Sequence, residues 1–219
     1  MNTFSLLAQV LARNQNFTSF DLMQMISSLK RLTEVRAGHP FRGSVPLVEG
    51  GNTQVIQMRD VSPDGTVAWA NLAHTDIATN RSPDWLRDGD VLFVARGARN
   101  YAVCLSQVPP GTVCSQYFFV LRCKGEGVLP EYLAWHINRA PSQRYLRNNA
   151  EGSDQLSIRR AVLEDLPVAV PDLARQRLLV DLAAAAVLER RRFEDLIHNR
   201  ELQLDALAQR LLSPSPRPR

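Results

Sequence analysis

From Asp172 onward the chain offers no glycine and no proline until Pro214, and a backbone free of both breakers can stay helical throughout. Pro171 stands just outside, and Asp172 carries the short acceptor side chain that N-caps favour. Residues 172–212 therefore read as one rod of about 40 residues, roughly 60 Å long at 1.5 Å per residue. Leu178, Leu179, Leu182, Ala186, Phe193, Leu196, Ile197, Leu204, Leu207 and Leu211 recur near the helical period, with Glu189 and Arg200 interrupting the stripe. A helix buries such a face on its own domain only if the domain is as long as the helix, and about 170 preceding residues fold to something more compact. The stripe predicts a helical partner, in this chain or another.

The chain has 219 residues and 45% hydrophobic content, enough for one or two domains with a packed core. No apolar run approaches a membrane span, and residues 1–10 lack the charged start and cleavage site of a secretory signal. The expectation is a soluble cytoplasmic protein without membrane contact. Cys104, Cys114 and Cys123 stand too far apart for a CxxC pair and have no histidine cluster beside them. That spacing favours reduced, buried thiols over a zinc site or a disulfide framework.

The net charge of +4 sits at the two ends of the chain. Residues 32–171 carry 14 basic and 14 acidic side chains and residues 172–212 seven of each, so the bulk of the protein is neutral. What remains is local. Arg139, Arg144, Arg147, Arg159 and Arg160 fall in one window, while Asp84, Asp88, Asp90, Glu164 and Asp165 gather elsewhere. Of 26 basic residues, all but Lys30 and Lys124 are Arg, the side chain suited to bidentate contacts with phosphates and guanine edges. A GC-rich coding sequence would enrich Arg in the same way.

Residues 1–31 read as a helical arm: Phe4, Leu6, Leu7, Val10 and Leu11 share a face, and Leu22, Met25, Ile26 and Leu29 resume it. Such an arm serves either for dimerisation or as a lid on the next domain. From Leu32 the period changes. LTEVRAG, VPLV, TQVIQMRDV and GTVAW are short runs rich in β-branched residues, separated by the turns HPFRG, EGGN and SPDG. WLRDGDVLFVAR and NYAVCL flank RGAR, and SQYFFVLR follows the turn PPGT. Val91 to Val94 is apolar without alternation, as in a strand covered on both faces. EYLAWHINRAPSQRYLRN reads as helix kinked or divided at Pro141, and SIRRAVLEDL as a short segment capped by Ser157 before the extended PVAVP. The predicted class is α+β: a mostly β domain over 32–171 with a few helices, then the long helix over 172–212. Residues 213–219, SPSPRPR, have the composition of a disordered tail.

Motifs for catalysis are missing from the sequence. There is no GxSxG elbow, no GxGxxG or GxxxxGK[ST] loop, and no Asn/Asp-Pro-Pro-aromatic motif for a flipped base. Pro83 and Asp84 followed by Asp88 and Asp90 resemble the acidic part of a metal-dependent nuclease, but the lysine that should follow is lacking. Asp88-Gly89-Asp90 reads equally well as a turn before a strand. His39, His74, His136 and His198 have no partners at diagnostic spacing, so surface or structural roles are expected. No cofactor or metal is expected, and the chain is read as non-enzymatic.

TEVRAGHPFRG with TQVIQMRDVSPDG, then LRDGDVLFVARG, then LPEYLAWHIN, EGSDQLSI and LEDLPVAVPDLARQRLLVDL follow one another from Leu32 towards Leu212. In that order they resemble the specificity subunit of type I restriction-modification systems, in a half-length form with one target recognition domain. The proline-bounded link ending in a Gln-containing helix start is the most specific of these strings. The resemblance implies a non-catalytic subunit that reads double-stranded DNA and positions a methyltransferase subunit, and through it a restriction subunit. The usual member has two recognition domains and two long helices, so the resemblance implies pairing here, as a homodimer or with another half subunit. The rods would then form an antiparallel coiled-coil spacer through Leu182, Ala186, Phe193, Leu196, Leu204 and Leu207.

Base readout in this setting needs planar side chains with paired donors and acceptors on loops. The candidates are Arg96, Arg99, Asn100 and Tyr101 in RGARNY, and Gln155 with Arg159 beside EGSDQLSIR. Arg144, Arg147 and Asn148 are candidate phosphate contacts. A different class of function, a protein-interaction scaffold that assembles through the rod without touching DNA, is favoured by the neutral charge of residues 32–171 and disfavoured by the order of the segments.

Overall fold

A computed structural model describes residues 26–77, 83–152 and 156–212. Residues 1–25 of the arm expected over 1–31, and the tail at 213–219, lie outside them. The chain is α+β, as expected, and divides into two units, one running to Arg177 and the other starting at Leu178.

The first unit is organised on strand β5 (Val91–Val94), whose four side chains are all buried. It lies in a four-stranded antiparallel sheet with β2 (Thr33–Ala37), β7 (Ala102–Cys104) and β9 (Phe118–Cys123), in the order β2-β9-β5-β7. Alternation sends Leu92 and Val94 to one face, where they meet Val103, Leu105, Phe118 and Val120. Ile56 and Cys114 close this core from a second sheet made of β4 (Ala73–Thr75), β3 (Thr53–Ile56) and β8 (Thr112–Cys114). Val91 and Phe93 turn to the opposite face of the first sheet, where helix α2 (Pro130–Ile137) packs on β5 and β7. The absence of alternation in VLFV is thus explained by layers on both sides. Burying each such side chain contributes roughly 1.5–3 kcal/mol.

Within the second sheet β3 pairs antiparallel with β4 but parallel with β8, Ile56 opposite Cys114. The parallel pair brings the C-terminal ends of β3 and β8 out side by side. Gly38 lets the chain leaving β2 cross the turn before β9: a Cβ there would stand 2.0 Å from the Ser115 carbonyl oxygen, closer than any side chain permits.

Several local expectations change. Ile26–Ser28 is not helical but forms strand β1, antiparallel to β11 (Pro167–Ala169), and Leu29–Leu32 is a single helical turn, α1. VPLV is not a strand; Val48 donates its N–H to the His74 carbonyl and accepts from the Gly51 N–H. Ser157 does not cap a helix. It lies in β10 (Leu156–Ser157), and α4 (Arg160–Glu164) starts after Arg159 without a side-chain cap. The long segment divides where expected, into α2 and α3 (Ala140–Asn148), with Pro141 in the first turn of α3. Asn138 fills the break: its amide donates to the Ala102 carbonyl (2.7 Å) and accepts from the Ala102 N–H (2.9 Å), completing the edge of β7.

The link PVAVP is fixed by α2. Tyr132 Oη donates to the Ala169 carbonyl (2.6 Å), and His136 Nε2 accepts from the Ala169 N–H (3.3 Å). That bond leaves the imidazole proton on Nδ1, 3.1 Å from Ser142 Oγ, and burial holds His136 below the ordinary histidine range, in its neutral form. Helix α5 (Leu173–Leu212) then begins as the sequence predicts. Asp172 Oδ1 accepts from the Arg175 N–H (2.9 Å). One turn in, Gln176 is fully buried. Its amide donates to the Gly127 (3.0 Å) and Pro171 (2.7 Å) carbonyls, and its oxygen accepts from the Leu129 N–H (2.9 Å).

Replacing Gln176 with Leu removes all three bonds and leaves the peptide groups of Gly127, Leu129 and Pro171 without their amide partner. The expected loss is roughly 3 kcal/mol, read as a lower urea midpoint at unchanged slope. An unchanged midpoint would show that the amide contributes only local order.

Candidate nucleic-acid interface

The two loops named from sequence, RGARNY and the segment around Gln155, meet in the folded chain. Strand β6 (Arg96–Gly97) pairs antiparallel with β10, Arg96 opposite Ser157 and Gly97 opposite Leu156. Ile158 extends the ribbon by donating its N–H to the Ala95 carbonyl (2.9 Å), and Ser157 exchanges backbone bonds of 3.0 and 2.8 Å with Glu151. Gly97 sits at φ 146°, a conformation open to glycine, and this turns the chain after β6. Arg96, Arg99 and Arg159 are all exposed on or beside this ribbon. Arg159 is paired with Glu151 at 2.6 Å, both side chains open to solvent, so the pair is weak and exchangeable. Gln155 lies outside the described residues.

A cleft of about 570 Å³ separates the loop after β6 from helix α3. Arg99 lines one side, and Arg139, Gln143 and Arg147 line the other. Arg139 packs over the Trp135 ring at 5.3 Å, a cation–π contact that holds the guanidinium without neutralising it. Arg144 and Asn148 are exposed on α3 but do not line the cleft. Among the phosphate candidates, Arg147 is the one brought opposite the RGAR loop.

Asn100 and Tyr101 line the cleft beside Arg99 and are also bonded into the core. Asn100 is buried, with its amide donating to the Val94 carbonyl (3.0 Å). Tyr101 packs against the core, and its hydroxyl donates to the Val61 carbonyl (2.8 Å); burial raises its pKa above the ordinary phenol value. Both side chains shape the loop that presents Arg99. Sequence reasoning missed Gln143. Arg139, Gln143 and Arg147 are spaced by four and share a helix face, a signal that was available once α3 was recognised as its own helix.

The acidic cluster has a structural explanation. Asp90, 1% exposed, receives both Arg122 Nε and Nη2 at 2.7 Å and also accepts from the Arg87 N–H (3.0 Å). Asp88 accepts from the Val108 N–H at 2.8 Å, and Asp84 is paired with Arg36. Each carboxylate is turned to its own partner, and among the described residues no group of three or more His, Cys, Asp or Glu side chains could hold a metal ion. The cysteines are free, and burial pushes Cys104 and Cys114 up to about 12 and Cys123 to about 11, far from the thiolate form that nucleophilic or metal chemistry requires.

No protein-family model matches this chain, and no curated protein does. Solved structures match its fold. The S subunit of a type I restriction-modification system from M. genitalium matches with a TM-score of 0.53 at 12% identity, over 84% of this chain and 44% of its own length. The HsdS subunit from Thermoanaerobacter tengcongensis matches at 0.56 and 21%, over 89% and 50%. A chain from a structural study of complex assembly and conformational transition of the type I R-M system matches at 0.58 and 18%, over 94% and 50%. The fold is therefore the one found in the specificity subunits that the sequence resembles. This chain spans about half the length of the structures it matches.

The structural reading of the acidic cluster has a direct check. Arg122→Met leaves the buried Asp90 carboxylate with only the longer, solvent-exposed Arg87 pair (3.9 Å), and the expected loss is about 3 kcal/mol in chemical denaturation. An Asp90→Asn, Arg122→Met double variant recovers part of it. Wild-type stability in the single variant would mean that Asp90 serves something other than the fold.

Proposed function

We propose that this chain is a specificity subunit of a type I restriction-modification system, non-catalytic in itself, that reads double-stranded DNA. It would position a methyltransferase subunit, and through it a restriction subunit, in the cytoplasm where the DNA lies. One observation carries this beyond the shared fold. Two loops about 60 residues apart in sequence are joined as the β6–β10 ribbon, and Arg96, Arg99 and Arg159 stand exposed at the join, with Arg147 across the cleft. Exposed guanidinium groups on a rigid ribbon suit base edges in the major groove, and those on α3 suit phosphates. Arg96, Arg99 and Arg159 are the candidate readers; Arg139, Arg144, Arg147 and Asn148 are the candidate backbone contacts.

The rod supports a paired assembly. Phe193, Leu196, Ile197, Leu204 and Leu207 are each more than half exposed. At 100° per residue, Leu178, Leu182, Ala186, Glu189, Phe193, Leu196, Arg200, Leu204, Leu207 and Leu211 fall within an arc of about 80°. Their spacing follows an eleven-residue repeat, Leu182 to Phe193 to Leu204 and Glu189 to Arg200 to Leu211, which favours nearly straight helices over a strongly left-handed supercoil. An antiparallel pair centred between Glu194 and Asp195 is self-consistent. It sets Leu178 against Leu211, Leu182 against Leu207, Phe193 against Leu196, and Glu189 against Arg200 of a second copy. The two charges within the apolar arc then select this register, because shifted pairings bury them against leucine.

Selection from random duplexes tests the recognition reading. A paired assembly is expected to enrich two half-sites at a fixed gap, and removing one helical turn of the rod, about 5.4 Å, shortens that gap by roughly one to two base pairs at 3.4 Å each. Enrichment of no sequence would sink the reading; an unchanged gap would sink the role of the rod as spacer.

The register is tested separately. Arg200→Glu sets like charges together twice in the pair and is expected to weaken dimerisation roughly tenfold in sedimentation equilibrium. Adding Glu189→Arg restores it. Equal weakening in the double variant would contradict the antiparallel register.

A further inference from the structure

A second groove, of about 420 Å³, is lined by Gln57, Met58 and Arg59 from the turn after β3 and by Ser115, Gln116 and Tyr117 from the turn after β8. We infer that this groove is a second base-reading element, in which Gln57 and Gln116 contact base edges in the DNA major groove; the inference rests on the recognition reading given above. The sequence offered no sign of it, because its residues come from two places that only the sheet brings together. Strands β3 and β8 run parallel with Ile56 opposite Cys114, and the Ser115 N–H donates to the Ile56 carbonyl (2.9 Å). The residues that follow each strand therefore emerge next to each other, Gln57 from one and Gln116 from the other, and both line the groove.

Its chemistry is that of a reader rather than a phosphate clamp. The Gln116 amide presents one donor and one acceptor in a plane, the complement of the adenine N6/N7 edge, while the Gln57 side chain accepts from the Asp60 N–H in a capping box and keeps its NH₂ group to donate. Met58 and Tyr117, 38% and 37% exposed, flank the amides with apolar surface suited to a thymine methyl. Arg59 adds an exposed guanidinium at the rim. Ser115 also lines the groove; it is 4% exposed, and its hydroxyl has no hydrogen-bond partner among the described residues. A buried hydroxyl without a partner is costly in an isolated fold.

The groove is rigid and continuous with the ribbon. The buried Asp60 carboxylate accepts from the Gln57 N–H (2.8 Å), which fixes the turn that carries Met58 and Arg59. Tyr101 Oη ties the next residue, Val61, to the loop after β6. On the other wall the Tyr117 carbonyl accepts from the Ala95 N–H (2.9 Å), directly before Arg96. Met58 Sδ lies 3.7 Å from where a Cβ would stand on Gly97, so one residue of the groove touches the ribbon. Readers in the groove and on the ribbon would address neighbouring base pairs of a single half-site.

The experiment is duplex selection with the full chain, wild type first, then Gln57→Ala, Gln116→Ala and Gln116→Glu, with melting temperatures measured alongside. The expected result is a loss of discrimination, roughly tenfold or more, at one or two positions of the half-site in each alanine variant, the other positions holding. Gln116→Glu keeps the shape but can only accept hydrogen bonds, so its preference at that position moves from adenine towards cytosine. If Gln57→Ala lowers the melting temperature by loosening the turn, the two Gln116 variants still decide. Folded Gln116 variants that select the wild-type half-site with unchanged discrimination at every position would overturn the inference, leaving the groove to a protein partner. A wild-type chain that enriches no sequence would instead overturn the recognition reading itself.

Discussion

Strand β5 has no face towards water, and the rest of the recognition unit follows from that. A strand covered on both sides can place polar groups only at its ends. At the start stands Asp90, and because it is buried it needs the fork of Arg122 and the Arg87 N–H to remain there. At the far end stands Arg96, where the chain leaves the sheet, pairs with β10 and meets solvent. One end of the strand carries a satisfied ion pair and the other carries the exposed cations. The fold thus separates its structural charge from its available charge along a single element.

The available end is built by pairings between distant segments. β6 is two residues long and owes its position to β10. The loop beyond it is fixed from beneath by Asn100 and Tyr101, whose bonds reach the Val94 and Val61 carbonyls. Both side chains line the cleft as well, and their bonds hold Arg99 at its mouth. This is preorganisation of the kind a recognition surface needs, since a loop that must be ordered on binding weakens the complex by its entropy.

Much of this architecture could be read from the residues. The unbroken apolar run in VLFV announced two covered faces, Pro141 announced the division of α2 from α3, and Asp172 announced the start of the rod. Other features could not be read so. VPLV has the composition of a strand, yet it is joined to β4 by a single hydrogen bond, from the Val48 N–H to the His74 carbonyl, because a short strand exists only if a neighbour offers an edge. That Asn100 and Tyr101 also bond to carbonyls of β5 and of the turn after β3 could not be read from their chemistry. The groove with Gln57 and Gln116 escaped notice for the complementary reason, since a parallel pairing over nearly 60 residues leaves no local trace.

By itself the sequence determined what depends on neighbours along the chain: helical periodicity, breakers, caps, and the eleven-residue spacing that sets leucines, Glu189 and Arg200 on one arc of α5. These are properties of one element, and the geometry of a helix converts spacing into direction without outside help. The tertiary structure alone decided which polar side chains at the strand ends face inward and which face out. Asn100 and Arg99 are adjacent and equally polar; one is buried against Val94 and the other is exposed. The difference lies in the satisfaction of buried carbonyls, a requirement set by groups far away in the chain and visible only once the sheets have closed.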